Sequence, residues 1–342
     1  MDFKRKNMDT KKLEKLINID SPSGYTGKAT EYISEVMKSY GFKPEYTKKG
    51  AVTCNLGNNP KIVIAAHIDT LGGIVSKINA DGTLRMSVVG GVLLPSFEGS
   101  YLRICTMEDK VYTGTLLLNN PATHANREAG TEERKESNMH IRIDEEVFSK
   151  EDVEKLGISV GDFICFEPHY TETASGFIKS KFMDNKAGCF VLFELARIFE
   201  GKNIPVQLFF SNYEEVGHGA ASGYAPTIEE MICIDMAVVG EVLQGTEQQC
   251  TICVKDSTGP YDYEMRRKLV ALSKKNKIDY TLDVYPYYGS DGSAALRAGN
   301  DFRVALIGMG VSASHGIERT HKKGIKATID MCEAYINDYI SK

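Results

Sequence analysis

The sequence predicts an α/β fold in which one layered domain is interrupted by a small β-rich unit. Helical and extended patterns alternate near both ends of the chain, as in layered α/β domains. The middle instead shows period-two apolar alternation joined by turn residues, which is typical of antiparallel strands. We therefore assign residues 1–71 and 172–342 to one α/β domain and residues 72–171 to an insertion.

The chain is predicted to open with two helices. Apolar residues recur at helical spacing over 13–17 and 29–37, on either side of a breaker at 21–24. Two short strands should follow, over 52–56 and 61–66. The second is an unbroken apolar run, as expected of a strand buried on both faces.

Alternating apolar and polar residues predict a set of strands in the insertion. They are expected at 74–78, 84–88, 102–105 and 111–118. A short helix near 153–157 and a strand within 160–166 should complete the unit, and the charge run at 132–136 indicates a solvated loop.

Helices and strands alternate again after Asp184. An amphipathic helix is predicted through Phe190, Phe193 and Ala196. Further strands are expected at 206–210, 231–234, 280–284 and 303–307, with helices after Tyr261, over 293–298 and from about Lys326.

Composition excludes several classes of protein. The 342 residues carry 46 Asp and Glu against 41 Lys and Arg, a formal charge of −5, so no general field favours nucleic acid or an anionic membrane. No apolar run approaches the roughly 18 residues of a membrane-spanning helix, and the first residues lack the apolar core of a signal peptide. The sequence predicts a soluble cytoplasmic protein.

The eight cysteines are scattered and mostly have apolar neighbours, which favours buried reduced thiols. Cys250 and Cys253 form a Cys-x-x-Cys pair within a strand-like segment. No second pair lies at zinc-ribbon spacing, so a metal or redox role is not favoured.

Acidic and imidazole side chains fall just past the ends of predicted strands. His67 and Asp69 follow one buried strand. Glu214 and Glu215 follow a second strand, and Asp235 ends a third. Ligands of α/β folds bind outside the carboxyl ends of the strands, so these groups should converge. Several carboxylates in a partly dry cleft repel one another, which points to a cation between them.

The pair His67 and Asp69 and the pair Glu214 and Glu215 each have two interpretations. His67 suits a metal ligand oriented by Asp69, although a surface histidine beside a turn aspartate has the same spacing. Glu214 could take a proton from a metal-activated water while Glu215 binds the metal. A solvated acidic turn is the alternative.

Three further residues could complete such a site. Asp184 could bridge two ions or cap the helix that follows it. Asp235 is an unusual charge at the end of an apolar strand, which favours a ligand. His315 could complete a second metal site, with His321 as its rival. The other four histidines have no convincing partner in the sequence.

Five motifs together resemble the glutamyl, deblocking and tetrahedral aminopeptidase family of di-metal peptidases. They run nearly from end to end of the chain and occur in the family's order. The motifs are Ser21-Pro22-Ser23-Gly24-Tyr25, Ala66-His67-Ile68-Asp69, the stretch from Ile143-Asp144 to Gly161-Asp162, Met183-Asp184-Asn185-Lys186-Ala187-Gly188 and Tyr213-Glu214-Glu215-Val216-Gly217.

The resemblance implies a three-layer α/β/α catalytic domain, an inserted β-barrel-like dimerisation domain, and two divalent ions. Zinc, cobalt and manganese all suit histidine and carboxylate ligands. The implied roles are His67 and Asp235 at one ion, Glu215 and His315 at the other, Asp184 between them, Asp69 orienting His67, and Glu214 as general base.

The resemblance also implies the substrates and the assembly. The ions would polarise the scissile carbonyl, activate a water and hold the free α-amino group of a short peptide. Dimers of such proteins assemble into hollow dodecamers.

The chain departs from the family pattern at two places and agrees with it at a third. Thr70 stands where an acidic residue is common, and the segment 312–314 replaces a frequent Arg or Tyr before His315. Asp291 lies where relatives have an aspartate near the substrate, so it could be a pocket residue or simply a helix N-terminal acid.

Three functions are therefore compared. The first is a metal-dependent aminopeptidase. The second is a di-metal amidohydrolase or dipeptidase that acts on acylated amino acids or dipeptides, which would differ in its tolerance of a blocked N-terminus. The third is a non-catalytic peptide-binding or assembly protein, which the complete set of seven usable side chains disfavours.

Overall fold

The computed structural model describes residues 8–341 and confirms a mixed α/β fold with a β-barrel inserted in it. The N-terminal helices are α1 (Thr10–Ile17) and α2 (Gly27–Ser39), and the first strands are β1 (Pro44–Tyr46), β2 (Val52–Asn55) and β3 (Ile62–His67). Among residues 8–341, no helix has the length and apolar character needed to cross a membrane.

Six strands between Gly72 and Phe166 form a closed barrel in the order β4-β5-β8-β7-β6-β9. Its elements are β4 (Gly72–Ile78), β5 (Leu84–Val89), α3 (Leu94–Phe97), β6 (Tyr101–Cys105), β7 (Val111–Leu118), β8 (Met139–Ile143), α4 (Lys150–Leu156) and β9 (Phe163–Phe166). Alternate residues of these strands, such as Leu102 and Ile104, fill the barrel core.

The second part of the α/β domain follows the barrel. Its elements are β10 (Thr171–Glu172), β11 (Phe177–Ser180), α5 (Met183–Ile198), β12 (Val206–Ser211), β13 (Glu230–Ile234), β14 (Ala237–Val239), β15 (Cys250–Asp256), β16 (Gly259–Pro260), α6 (Tyr263–Asn276), β17 (Tyr280–Val284), α7 (Asp291–Arg297), β18 (Arg303–Ser312), β19 (Glu318–His321) and α8 (Lys322–Ile340).

The central strands of the large sheet are parallel, in the order β12-β3-β13-β18. Strand β3 is buried on both faces, as its unbroken apolar sequence predicted. Ile62 and Ile64 pack into the core shared with α1, α2, α5 and α8, while Val63 and Ala65 pack into the core on the other face. The parallel strands therefore end at one shared edge, where their following loops meet.

Two predictions about single elements were wrong or incomplete. Helix α5 is not amphipathic, because every residue from Met183 to Ala196 is buried between the sheet and its neighbouring helices. Strand β8 was not predicted, although its sequence Met139-His140-Ile141-Arg142-Ile143 alternates and Leu84, on β5, pairs with Ile141. Its position next to a charged loop concealed this pattern.

All eight cysteines are free and buried, as their apolar neighbours predicted. Cys250 and Cys253 lie on β15 and pack into different core clusters, on opposite sides of the sheet. The Cys-x-x-Cys spacing here belongs to a strand within the sheet.

Candidate metal centre

Three parallel strands bring the predicted site residues to the same edge of the sheet. His67 is the last residue of β3. Strand β12 ends at Ser211, three residues before Glu214, and Asp235 follows the last residue of β13. Ser211 pairs with His67 in the parallel sheet, and this pairing places the loops after β12 and β3 side by side.

The first half of the centre surrounds His67 Nε2. Asp184 Oδ1 lies 3.1 Å from this nitrogen, Glu214 Oε2 lies 3.7 Å away and Asp235 Oδ1 lies 3.8 Å away. The imidazole is almost fully buried. His67 Nδ1 lies 2.9 Å from the backbone carbonyl of Asp69, which can only accept a hydrogen bond. Nδ1 therefore carries a proton, and Nε2 is the ring nitrogen that faces the carboxylates.

The second half surrounds His315 Nε2. Asp184 Oδ2 and Glu215 Oε2 each lie 3.6 Å from this nitrogen. His315 Nδ1 lies 2.9 Å from the backbone carbonyl of Gly91, so it donates there and leaves Nε2 free. The two oxygens of Asp184 thus face two different histidines.

The Asp69 carboxylate organises the loop that carries the two glutamates. It accepts hydrogen bonds from the backbone N–H groups of Glu214, at 3.2 Å, and Glu215, at 3.3 Å, and from the hydroxyl of Ser23. Asp69 Oδ1 is 3.7 Å from His67 Nδ1, farther than the Asp69 carbonyl oxygen. Asp69 therefore orients His67 mainly through its main chain and the acidic loop through its side chain.

The pKa shifts in the centre indicate that its positive charge is too small to balance its carboxylates. Burial, together with repulsion from neighbouring carboxylates, raises the pKa values of Glu214, Glu215 and Asp235 well above the usual carboxyl range. Burial opposes protonation of His67, but Asp184, Glu214 and Asp235 outweigh it and raise its pKa. The buried Glu215 Oε1 has no hydrogen-bond partner among residues 8–341. Divalent cations would neutralise these carboxylates and satisfy this oxygen, so the donor set fits metal ions.

Comparison with known proteins decides the family. The model of the M42 glutamyl aminopeptidase family matches residues 50–331. The chain belongs to the M42 glutamyl aminopeptidase family. It is accordingly an aminopeptidase, an enzyme that hydrolyses peptide bonds.

Named relatives of this M42 enzyme support the assignment. YhfE of Bacillus subtilis (strain 168), named as a candidate aminopeptidase, is 40% identical over 97% of both chains. The glutamyl aminopeptidase of Lactococcus lactis subsp. cremoris (strain MG1363) is 31% identical over 60% of this chain and 59% of its own. The lysyl aminopeptidase of Pyrococcus furiosus is 22% identical over 97% of both chains.

Solved structures of similar proteins share the fold. The aminopeptidase APDkam598 of Desulfurococcus kamchatkensis superimposes with a TM-score of 0.85 and 25% identity, covering 95% of this chain and 93% of that one. The TET1 peptidase of Pyrococcus horikoshii, described as assembling into a tetrahedron or a large octahedral shell, has a TM-score of 0.84 and 22% identity, covering 95% and 98%.

In this M42 enzyme, His321 lies away from the centre; it was the alternative to His315 as a metal ligand. His321 Nδ1 accepts from the backbone N–H of Lys323 at the start of α8, and Nε2 lies 2.9 Å from the carbonyl of Ser175. Its ring packs edge-on against Phe177. Both ring nitrogens are therefore engaged outside the site, and of these two histidines it is His315 that faces Asp184.

Asp291 begins α7 and lies behind the centre. Ser290 caps this helix, and the buried Asp291 carboxylate contacts the Ser211 hydroxyl. Burial raises the pKa of Asp291 to about 6. It does not line the cavity at the metal centre, so its position favours the helix N-terminal role over the predicted pocket role.

Sequence reasoning missed three residues that support the centre. The Ser23 hydroxyl donates to the Asp69 carboxylate, and the backbone carbonyl of Gly91 accepts from His315 Nδ1. The buried Glu318 carboxylate accepts from the backbone N–H of Asp184, at 3.0 Å, and from that of His315, at 3.2 Å. Ser23 falls in the first of the sequence motifs noted above, and Glu318 lies three residues after His315. Gly91 lies in the inserted part of the chain, and nothing in its local sequence indicates a contact with His315.

An open cavity of about 630 Å³ lies against the two histidine clusters. Its charged lining residues all belong to the centre: Asp184, Glu214, Glu215, Asp235 and His315. The remaining wall is formed by Gly91, Val92, Leu93, Gly217, Met236, Val238, Tyr287, Tyr288, Gly289 and Ser314. The centre therefore faces a space large enough for the end of a peptide.

Proposed function

We propose that this aminopeptidase uses two divalent metal ions to remove N-terminal residues from short peptides, with Glu214 as the general base. One observation carries the proposal. Asp184 presents one oxygen to His67 and the other to His315, and both imidazoles are hydrogen-bonded so that Nε2 points at the shared carboxylate. The carboxylates of Glu214 and Asp235 lie near His67, and that of Glu215 lies near His315.

The ligands divide into two sets that share Asp184. His67 and Asp235 would hold one ion, and Glu215 and His315 would hold the other. When bound, the ions supply Lewis-acid activation of a water and of the scissile carbonyl. Zinc, cobalt or manganese would suit this mixture of imidazole and carboxylate ligands.

Glu214 would move the proton in this reaction. Its carboxylate lines the cavity and lies 3.7 Å from His67 Nε2, while its backbone N–H is fixed by Asp69. This carboxylate would accept a proton from the attacking water and return it to the leaving amine.

The assembly belongs to the same proposal. The TET1 peptidase is described as assembling into a tetrahedron or a larger shell, and this chain shares its fold. We propose that this chain forms homodimers that assemble into a dodecamer, with residues 72–171 as the dimerisation unit. Its cytoplasmic location stays a prediction.

A paired assay tests the reaction. One unblocked peptide and its N-acetylated twin are incubated with chelated enzyme and again after zinc, cobalt or manganese is restored. We expect metal-dependent release of the first residue from the unblocked peptide alone. Cleavage of the acetylated twin would instead support an amidohydrolase, and inactivity toward both with every metal would contradict the proposal.

A further inference from the structure

We infer that this enzyme prefers peptides whose first residue has an uncharged, apolar side chain. The inference rests on the proposed function, because it assumes that the peptide N-terminus enters the cavity beside the metal centre. It concerns a separate property of that cavity, namely the chemistry of the wall that surrounds the first side chain.

Within residues 8–341, the cavity has no charged group available for a substrate side chain. Every charged residue that lines it belongs to the proposed metal centre, where the ions and the peptide amine would engage it. Two divalent ions would balance the four carboxylates of Asp184, Glu214, Glu215 and Asp235. Lys49 is a nearby cation, but its ammonium contacts His218, at 3.0 Å from Nδ1, and does not line the cavity.

The rest of the wall is apolar or neutral. Leu93 and Val238 contribute aliphatic surface, and Met236 adds a flexible thioether. The hydroxyl of Tyr288 donates to the backbone carbonyl of Met236 at 2.8 Å, so this polar group already has a partner. Leu93 is 52% exposed and Tyr287 is 97% exposed, which leaves apolar surface open to an entering side chain.

This wall favours an apolar first residue over an acidic or a basic one. A leucine, methionine or phenylalanine side chain would cover apolar surface and release water. A glutamate side chain would lose water without meeting a cation, and a lysine side chain would meet no carboxylate outside the metal centre. Desolvating an unpaired charge is unfavourable, so both should bind more weakly.

The preference is a property of this chain and not of every relative. The similar proteins include one named as a glutamyl aminopeptidase and one named as a lysyl aminopeptidase. Their names indicate that the charge accepted at the first position differs among proteins of this fold. Leu93 and Val238 are accordingly the positions at which we expect the wall of this enzyme to set its selectivity.

Three peptides that differ only in their first residue, Leu, Glu or Lys, test the inference in the metal-loaded full-length enzyme. We expect kcat/KM for the Leu peptide to exceed that of either charged peptide by roughly tenfold to a hundredfold. Faster cleavage of the Glu or Lys peptide would overturn the inference while leaving the aminopeptidase proposal intact. Failure to cleave any of the three would overturn the proposed function itself.

A charge placed in the wall provides the second test. Leu93→Lys adds a cation at a half-exposed lining position, so kcat/KM for the Glu peptide should rise at least about tenfold relative to the Leu peptide. Leu296→Lys is the matched control, because Leu296 is 43% exposed on α7 and does not line the cavity. An equal change of selectivity in both variants, or none in Leu93→Lys, would contradict the assignment of this wall.

Discussion

Glu214 and Glu215 are neighbours in the chain, yet their carboxylates face different histidines. Glu214 Oε2 lies 3.7 Å from His67 Nε2, and Glu215 Oε2 lies 3.6 Å from His315 Nε2. Asp69 makes this possible by accepting both backbone N–H groups, which fixes the turn between them. Two adjacent residues of the same type can therefore have different chemical roles.

The role of Glu214 can be tested by one isosteric change. Glu214→Gln keeps the side-chain volume but cannot accept a proton, so turnover should fall by roughly a hundredfold or more. Metal content should stay close to that of the unchanged enzyme, since Glu214 is not one of the proposed ligands. Rates come from steady-state kinetics and metal content from elemental analysis. The exposed Glu241→Gln serves as control, and wild-type turnover in Glu214→Gln would remove this residue from the mechanism.

The connection between β18 and β19 illustrates how secondary-structure elements position the centre. Glu318, the first residue of β19, accepts from the backbone N–H of His315 in this connection and from that of Asp184 at the start of α5. Burial raises the pKa of Glu318 well above the usual carboxyl range. One carboxylate thus fixes the main chain at two proposed ligands, including the shared one.

Glu318→Gln should loosen this connection. An amide offers one accepting oxygen and one donating nitrogen, so only one of the two backbone N–H groups can remain satisfied. We expect the affinity for metal to fall roughly tenfold to a hundredfold, measured by metal titration of the chelated protein. Glu264→Gln, at a side chain 61% exposed on α6, should have no effect. Unchanged metal affinity in Glu318→Gln would show that the backbone contacts are dispensable.

Some of these elements could be predicted correctly from the sequence and others could not, for physical reasons. Strand β3 and its terminal His67 were predictable, because an unbroken apolar run reports burial on both faces. Helix α5 was predicted with the wrong environment, since its few polar residues resembled an exposed face although they are buried. The choice between His315 and His321 could not be made from spacing. It depends on which ring meets Asp184 across the fold.

At the scale of the whole molecule, the centre joins parts of the chain that are far apart in sequence. Residues from the loops after β3, β12, β13 and β18 and from the start of α5 meet at one edge of the sheet. Four of them are carboxylates, which repel one another when no cation lies between them. Metal ions should therefore stabilise the folded chain as well as support the reaction.

Metal removal tests this expectation. An ion that binds only the folded state raises the free energy of unfolding, by ~2.7 kcal/mol when its free concentration is a hundred times Kd. Chelation should lower the Tm, and zinc, cobalt or manganese should restore it, as followed by calorimetry. Asp184→Asn, which weakens the shared ligand, should show a smaller shift. A Tm that does not respond to chelation or to any of these ions would contradict a metal centre at this edge.

Gly91 lies in the inserted part of the chain, between β5 and α3, yet its carbonyl holds the imidazole of His315. A Cβ atom at this position would lie 2.8 Å from His315 Nδ1, so a residue larger than glycine would have to displace the imidazole. Two neighbours of Gly91, Val92 and Leu93, line the cavity. The barrel is therefore not an interchangeable module. A chimaera that received the barrel of a relative would also receive that relative's residues against His315 and the cavity, so the exchanged barrel must keep residues 91–93 of this chain.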